Sequence, residues 1–218
     1  APVFLTDTFL TVYATDSIYY PFSICDPDQD DSVFFSYSGK VFNPDSTGGN
    51  PARIIGPTKG KKNLSAALVW GTKCVNARTD TMDISISIRD NACPDQKFAF
   101  GRIRILVKPI PDVLPPELSC IKSIDSNTTQ LVWTADKSVN QRFFKQIVMN
   151  KVFPDESLQA PFHQMTQNID DSLIDLNTPQ HKLNDFCYYM YGVNVCNKNS
   201  DTTRFSCTKL YPDTAAYN

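Results

Sequence analysis

Five aspartates hold the most concentrated chemistry in this sequence. Asp26, Asp28, Asp30 and Asp31 fall within six residues, and Asp90 follows a long alternating run. Carboxylates are hard oxygen ligands, and Ca²⁺ takes six to eight oxygens at about 2.3–2.6 Å. The aspartates meet that demand if the fold brings Asp90 to the end that carries the first four. The competing use is local. Short acidic side chains accept loop N–H groups in Asx-turns and need no metal. Both uses are open at this point.

The other reactive residues point away from catalysis. His163 and His181 are the two histidines of the chain, and both fall in polar stretches expected to be solvated loops. Neither has a neighbouring Cys or a Glu-x-x-His partner to make a metal site. Asp170, Asp171 and Asp175 flank the short apolar run Ser172–Ile174 and read as solvated strand edges rather than a glycosidase pair. No G-x-S-x-G, P-loop or G-x-G-x-x-G motif occurs. Hydrolase chemistry is disfavoured, and no catalytic residue is expected. Lys59-Gly60-Lys61-Lys62 reads as a basic hairpin tip, with polyanion contact as its alternative. Asn63-Leu64-Ser65 and Asn127-Thr128-Thr129 fit the N-glycosylation pattern, which also arises by chance. Tyr13, Tyr19, Tyr20 and Tyr188 are candidates for exposed rings that stack on sugars.

Seven cysteines are scattered as Cys25, Cys74, Cys93, Cys120, Cys187, Cys196 and Cys207, with no C-x-x-C pair. That spread argues against a zinc ribbon or a thioredoxin-like motif. It fits disulfides formed in an oxidising compartment. Buried free thiols in a cytosolic protein are the alternative. Cys25 ends an alternating stretch and is expected at the end of a sandwich as a small buried hydrophobe, either a free thiol or paired with something outside this sequence.

The elements that must position these residues read as strands. Phe9–Ala14, Tyr19–Cys25, Val33–Ser38 and Leu64–Trp70 are rich in β-branched and aromatic residues. Asp83–Arg89 alternates with period two, as a half-buried strand does. Phe98–Val107 alternates as well, with a phase change near Gly101 that predicts a bulge. Four prolines between Pro109 and Pro116 cannot continue a helix or a central strand. They predict a semi-rigid linker over 111–116. It divides the chain into domains at 1–110 and 117–218. In the second, Leu118–Ile124, Gln130–Thr134, Cys187–Val195 and Phe205–Leu210 read as strands. The stretch around Phe143, Phe144, Ile147 and Val148 also fits a helical period, but a strand is due there. Short strands with turn signals about every ten residues predict an all-β chain of two tandem β-sandwiches.

Composition agrees with that reading. The 218 residues carry 23 acids and 21 bases, a net charge of −2, so a basic nucleic-acid surface is not expected. Apolar residues make up 41%, including 14 Phe, enough for packed cores. No run approaches the ~20 apolar residues of a membrane span. The first residues lack a signal-peptide pattern. Either a signal has been removed or the sequence is a fragment of a longer chain, and the cysteines favour an exported fragment.

Three motifs occur in an order that resembles a known family. Asp26-Pro27-Asp28-Gln29-Asp30-Asp31-Ser32-Val33 resembles the D-P-D-G-D-S-V turn of bacterial cadherin-like, immunoglobulin-like domains, with Gln29 in place of glycine. Val69-Trp70-Gly71-Thr72-Lys73-Cys74 resembles a W-x-P-x-C element, with Thr72 in place of proline. Ile86–Pro94 resembles the pattern v-x-v-x-D-x-x-C-P. The order is similar to repeats of gliding-motility-associated C-terminal-domain surface proteins. The second half resembles a fibronectin type III domain. Leu131-Val132-Trp133 looks like its buried tryptophan strand, and Cys187–Asn197 like its tyrosine-bearing strand.

The resemblance implies a cadherin-like sandwich followed by a fibronectin type III sandwich. It also implies a Cys74–Cys93 bridge, although a strand of eight residues spans roughly 26 Å and the chain would have to fold back. Cys196 and Cys207 flank a turn and are expected to pair across a hairpin. Cys120 is left with Cys187, or alternatively with Cys207. Asp26, Asp28 and Asp90 match half of an interdomain Ca²⁺ site, whose other half comes from a preceding repeat; no further cofactor is expected. The implied role is a non-catalytic spacer and interaction segment of a secreted or surface-anchored bacterial adhesin. Its partners would be neighbouring domains of its own chain, surface polysaccharide or another cell-surface protein. The alternative is a carbohydrate-binding accessory region of a secreted polysaccharide-degrading enzyme.

Overall fold

A computed structural model describes residues 1–4, 8–28, 32–92, 94–125, 128–134, 142–152, 163–166, 171–176, 187–204 and 206–207. The chain divides into two compact units, Ala1–Ile110 and Pro111–Asn218.

Unit 1 is an immunoglobulin-like sandwich of two sheets. One sheet runs in the order β1 (Val3–Phe4), β3 (Ser17–Cys25), β7 (Asn63–Gly71), β5 (Arg53–Ile55). The other runs β2 (Thr8–Tyr13), β9 (Phe98–Lys108), β8 (Met82–Arg89), β4 (Ser32–Gly39), β6 (Lys59–Lys61). The N-terminal strand thus switches sheets. β1 lies antiparallel to β3, whereas β2 runs parallel to β9. Period two decides which residues are inside. Met82, Ile84, Ile86 and Ile88 of β8 are buried, and so are Ile103, Ile105 and Val107 of β9. Each fully buried aliphatic side chain contributes about 1.5–3 kcal/mol relative to exposure.

The bulge expected at Gly101 is absent. β8 and β9 stay in continuous register from Met82↔Ile105 to Arg89↔Phe98. The apolar pattern changes phase because Phe98 and Phe100 lie on the outer face and are exposed. Gly101 keeps its place for another reason. A Cβ there would come within 2.4 Å of the Phe4 ring.

Unit 2 is a fibronectin type III-like sandwich, with three and four strands in its sheets among the described residues. The smaller sheet is β10 (Glu117–Asp125), β11 (Thr128–Thr134), β14 (Asp171–Leu176). The larger is β13 (His163–Thr166), β12 (Phe144–Val152), β15 (Cys187–Asn194), β16 (Ser206–Cys207). The ambiguous stretch is a strand, β12, paired with β15 along its length. The core is Leu131, Trp133, Ile147, Met149, Tyr188 and Met190. Tyr188 is therefore fully buried and is no sugar platform, because the inward phase of β15 is Tyr188–Met190 rather than its neighbours.

The proline segment is packed rather than free. Val113 is buried, and Lys198 bonds to the Asp112 carboxylate. A Cβ on Gly192 would stand 3.4 Å from Leu114 O. Residues 111–116 thus belong to unit 2.

Candidate functional site

The sandwich brings Asp26, Asp28 and Asp90 to one end of unit 1. Asp26 directly follows β3, Asp90 directly follows β8, and both are fully buried. Each uses one carboxylate oxygen locally. Asp26 Oδ1 accepts the Asp28 N–H at 3.0 Å, an Asx-type turn. Asp90 Oδ1 accepts the N–H groups of Ala92 (3.2 Å) and Lys97 (2.8 Å). These bonds close the loop between β8 and β9, with Asp90 N–H also donating to Lys97 O at 3.1 Å. The local reading of the aspartates is therefore realised.

It does not use the whole of either carboxylate. Asp26 Oδ2 and Asp90 Oδ2 are buried and have no hydrogen-bond partner among the described residues. A buried carboxylate oxygen without a partner carries a desolvation cost that a cation would offset. Lys97 Nζ lies 3.5 Å from Asp28 Oδ2. Asp28, foremost, then Asp90 and Asp26 hold the Lys97 ammonium above the ordinary lysine range. All three carboxylates thus act on one cation. Among the described residues, no group of three or more His, Cys, Asp or Glu is placed to hold a metal ion. Asp30 and Asp31 lie outside the described residues.

Thr72, found where the resemblance has proline, clamps the turn after β2. Its hydroxyl donates to Asp16 O (2.9 Å) and lies 3.2 Å from Tyr13 O, and its N–H donates to Asp16 O at 2.8 Å. Proline has neither group to offer.

Cys74, Cys187 and Cys196 are in disulfides. Cys25 is a free thiol, one of its two expected states, and is half-buried. Cys120 is also free, which corrects its expected pairing with Cys187 or Cys207. A register shift between Leu118 and Cys120 leaves Cys120 exposed on β10, and β10 belongs to the sheet opposite that of Cys187. Cys207 stands opposite Cys187 in the β15–β16 register, whereas Cys196 lies beyond the end of β15. Cys93, the expected partner of Cys74, lies outside the described residues. Cys74 itself starts a short 3-10 turn near the Met82 end of β8, where Arg78 N–H donates to Val107 O at 2.9 Å.

The lesser candidates divide. His163 opens β13 opposite Met149 instead of lying in a loop, and His181 is outside the described residues. Asp171 and Asp175 lie within β14, opposite Trp133 and Thr129, and Asp170 is not described. The basic run is edge strand β6, with Lys62 alone at the tip in a left-handed conformation (φ 59°). Tyr19 is exposed, while Tyr13 and Tyr20 are half-buried. The sequence missed one feature outright. The outer face of the larger sheet gathers Phe34, Phe98 and Phe100 with Lys59 and Arg89. Its signal was the apolar phase change at Gly101.

No family model and no curated protein matches the sequence. Among solved structures, the chain is similar to a crystal structure of titin domains, at 10% identity and a TM-score of 0.36, over 92% of this chain and 62% of that one. It thus spans about three-fifths of that structure's length. It is also similar to chicken contactin (CNTN1) FN1-FN3 domains, at 8% identity and a TM-score of 0.36, over 93% and 67% of the two chains. A Vibrio cholerae protease, VesB, is similar over 49% of this chain and 32% of its own, at 8% identity and a TM-score of 0.33. These likenesses are too distant to carry an argument. The fold rests on strand order and register. Among the described residues, no helix is long and apolar enough to cross a membrane.

Proposed function

We propose that this chain is a non-catalytic spacer and interaction segment of an extracellular, surface-anchored multidomain protein of the bacterial adhesin kind. Its Asp26–Asp28–Asp90 end supplies part of a Ca²⁺ site. The observation that carries the reading is the pair of buried, unpartnered oxygens, Asp26 Oδ2 and Asp90 Oδ2. Two sandwiches in tandem and cysteines held in disulfides support the setting. Immunoglobulin-like and fibronectin type III-like domains commonly serve as spacers. On this reading the remaining oxygen ligands come from a neighbouring module. Ca²⁺ there would neutralise the carboxylates and stiffen the loops after β3 and β8.

Thermal unfolding with and without Ca²⁺ tests this. Extracellular Ca²⁺ modules bind at about 10⁻⁴–10⁻³ M. Tenfold saturation adds about 1.4 kcal/mol of stability. For a unit of this size that raises Tm by several degrees. Equal melting in Ca²⁺, Mg²⁺ and chelator, in the fragment and in the chain with its preceding module, overturns the site.

A second reading, a carbohydrate-binding accessory region of a secreted polysaccharide-degrading enzyme, is favoured by one observation. Phe98 and Phe100 are 61% and 78% exposed on a regular sheet face.

A further inference from the structure

The outer face of the larger sheet in unit 1 is built unlike an ordinary solvated face. Register sets its layout. Phe98, Arg89, Phe34 and Lys59 stand side by side across four adjacent strands, β9, β8, β4 and β6. With strands about 4.8 Å apart, that row is about 14 Å long. Rings and cations alternate along it. Lys59 Nζ lies 4.9 Å, and the Arg89 guanidinium 5.2 Å, from the Phe34 ring centre. The next two rows are Phe100–Ser87–Ser36 and Arg102–Ser85–Ser38. Four serines therefore floor a furrow, walled by Phe98, Phe100 and Arg102 along β9 and closed at one end by the first row. A cavity of about 400 Å³ lies there, lined by Phe34, Ser36, Lys59, Ser87, Arg89 and Phe98.

Charge is segregated on this face. The five strands carry Lys59, Lys61, Arg89, Arg102, Arg104 and Lys108 against the single acid Asp83, which pairs with Arg102. The chain as a whole is net negative, at −2. A cationic face on an acidic chain needs a physical counterpart.

We propose that this furrow docks an acidic polysaccharide. A sugar-acid chain presents C–H faces, hydroxyls and carboxylates together. The exposed phenyl rings offer surfaces to the C–H faces. The serines exchange hydrogen bonds with the hydroxyls. Lys59 and Arg89 meet the carboxylates through charge-assisted bonds. An extended peptide is a poorer fit, because peptides that augment sheets bind edges, where backbone groups are open. The inference deepens the interaction-module reading and rests on it for the extracellular setting. It does not involve Asp26, Asp28 or Asp90.

Affinity electrophoresis of the native chain tests it, in gels containing polygalacturonate, alginate or neutral dextran. The expected result is retardation by the two acidic polymers and none by dextran. Phe98→Ala with Phe100→Ala should weaken retardation at least tenfold. Both rings are exposed, so the fold should hold, and Tm checks that. Lys59→Gln, on the edge strand, is the second variant and should weaken it severalfold. Lack of retardation, or retardation unchanged in both variants, overturns the proposal. Equal retardation by dextran, polyglutamate or an oligothymidylate overturns the assignment to acidic polysaccharide. Ca²⁺ stabilisation, read on the same variants, should be unchanged. If it persists without polysaccharide binding, this inference alone has failed. If polysaccharide binds without Ca²⁺ stabilisation, the aspartate site alone has failed.

Discussion

Asp26 and Asp90 end different strands in different sheets and do the same thing. Each spends Oδ1 on backbone amides of its own loop and leaves Oδ2 buried without a partner. Lys97, held to Asp28 at 3.5 Å, is the cation that all three carboxylates address.

Substitution of Asp90 separates its two oxygens. Asp90→Ala orphans the Ala92 and Lys97 amides and should cost about 1–3 kcal/mol in urea unfolding. Asp90→Asn keeps one acceptor and removes a buried charge, so without Ca²⁺ it should lie within about 1 kcal/mol of the native chain. The same Asn should abolish any stabilisation by Ca²⁺. A large loss in Asp90→Asn without Ca²⁺ would show that Oδ2 already has a partner.

Gly101→Ala tests the contact that replaces the expected bulge. The new methyl meets Phe4, and overpacking of this kind costs about 1–3 kcal/mol. Phe4→Ala in the same chain should recover part of that loss. Additive losses in a double-mutant cycle would contradict the contact.

Thr72→Pro installs the residue the resemblance leads one to expect. It removes the N–H and the hydroxyl that hold Asp16 O and should destabilise by about 1–3 kcal/mol. Thr72→Val, which keeps the N–H, should cost less. Equal costs would assign the effect to the hydroxyl alone.

Alkylation of the native chain should label Cys25 and Cys120 and spare Cys74, Cys187 and Cys196 until reduction. Cys120, exposed, should react faster than half-buried Cys25. Directly opposed residues of an antiparallel pair reach disulfide spacing. A Cys187–Cys207 peptide is therefore the expected product of non-reducing digestion. A Cys120-containing linked peptide would contradict the structure.

Much of the architecture was legible because period two is a local signal. Ile84, Ile86 and Ile88 announce a half-buried strand without any knowledge of neighbours. The aspartate end was legible for a similar reason: Asp26 and Asp90 each follow a strand whose limits are clear. What failed depends on which face is inside. Phe98 and Phe100 look like core residues, and apolarity alone does not say that they face solvent. Tyr188 was read onto the wrong side of β15 for the same reason. Cys120 was misplaced because a register shift in β10 leaves no trace in composition. The parallel pairing of β2 with β9 joins residues far apart in sequence, and no local pattern encodes it.

The decisive measurement is calorimetric titration of Ca²⁺ into the native chain and into Asp26→Asn with Asp90→Asn. Saturable heat near millimolar Ca²⁺ is expected for the native chain, strengthened by a preceding module and absent from the double variant. No heat in either form with that module present, or the same heat in the double variant, would contradict the proposed site.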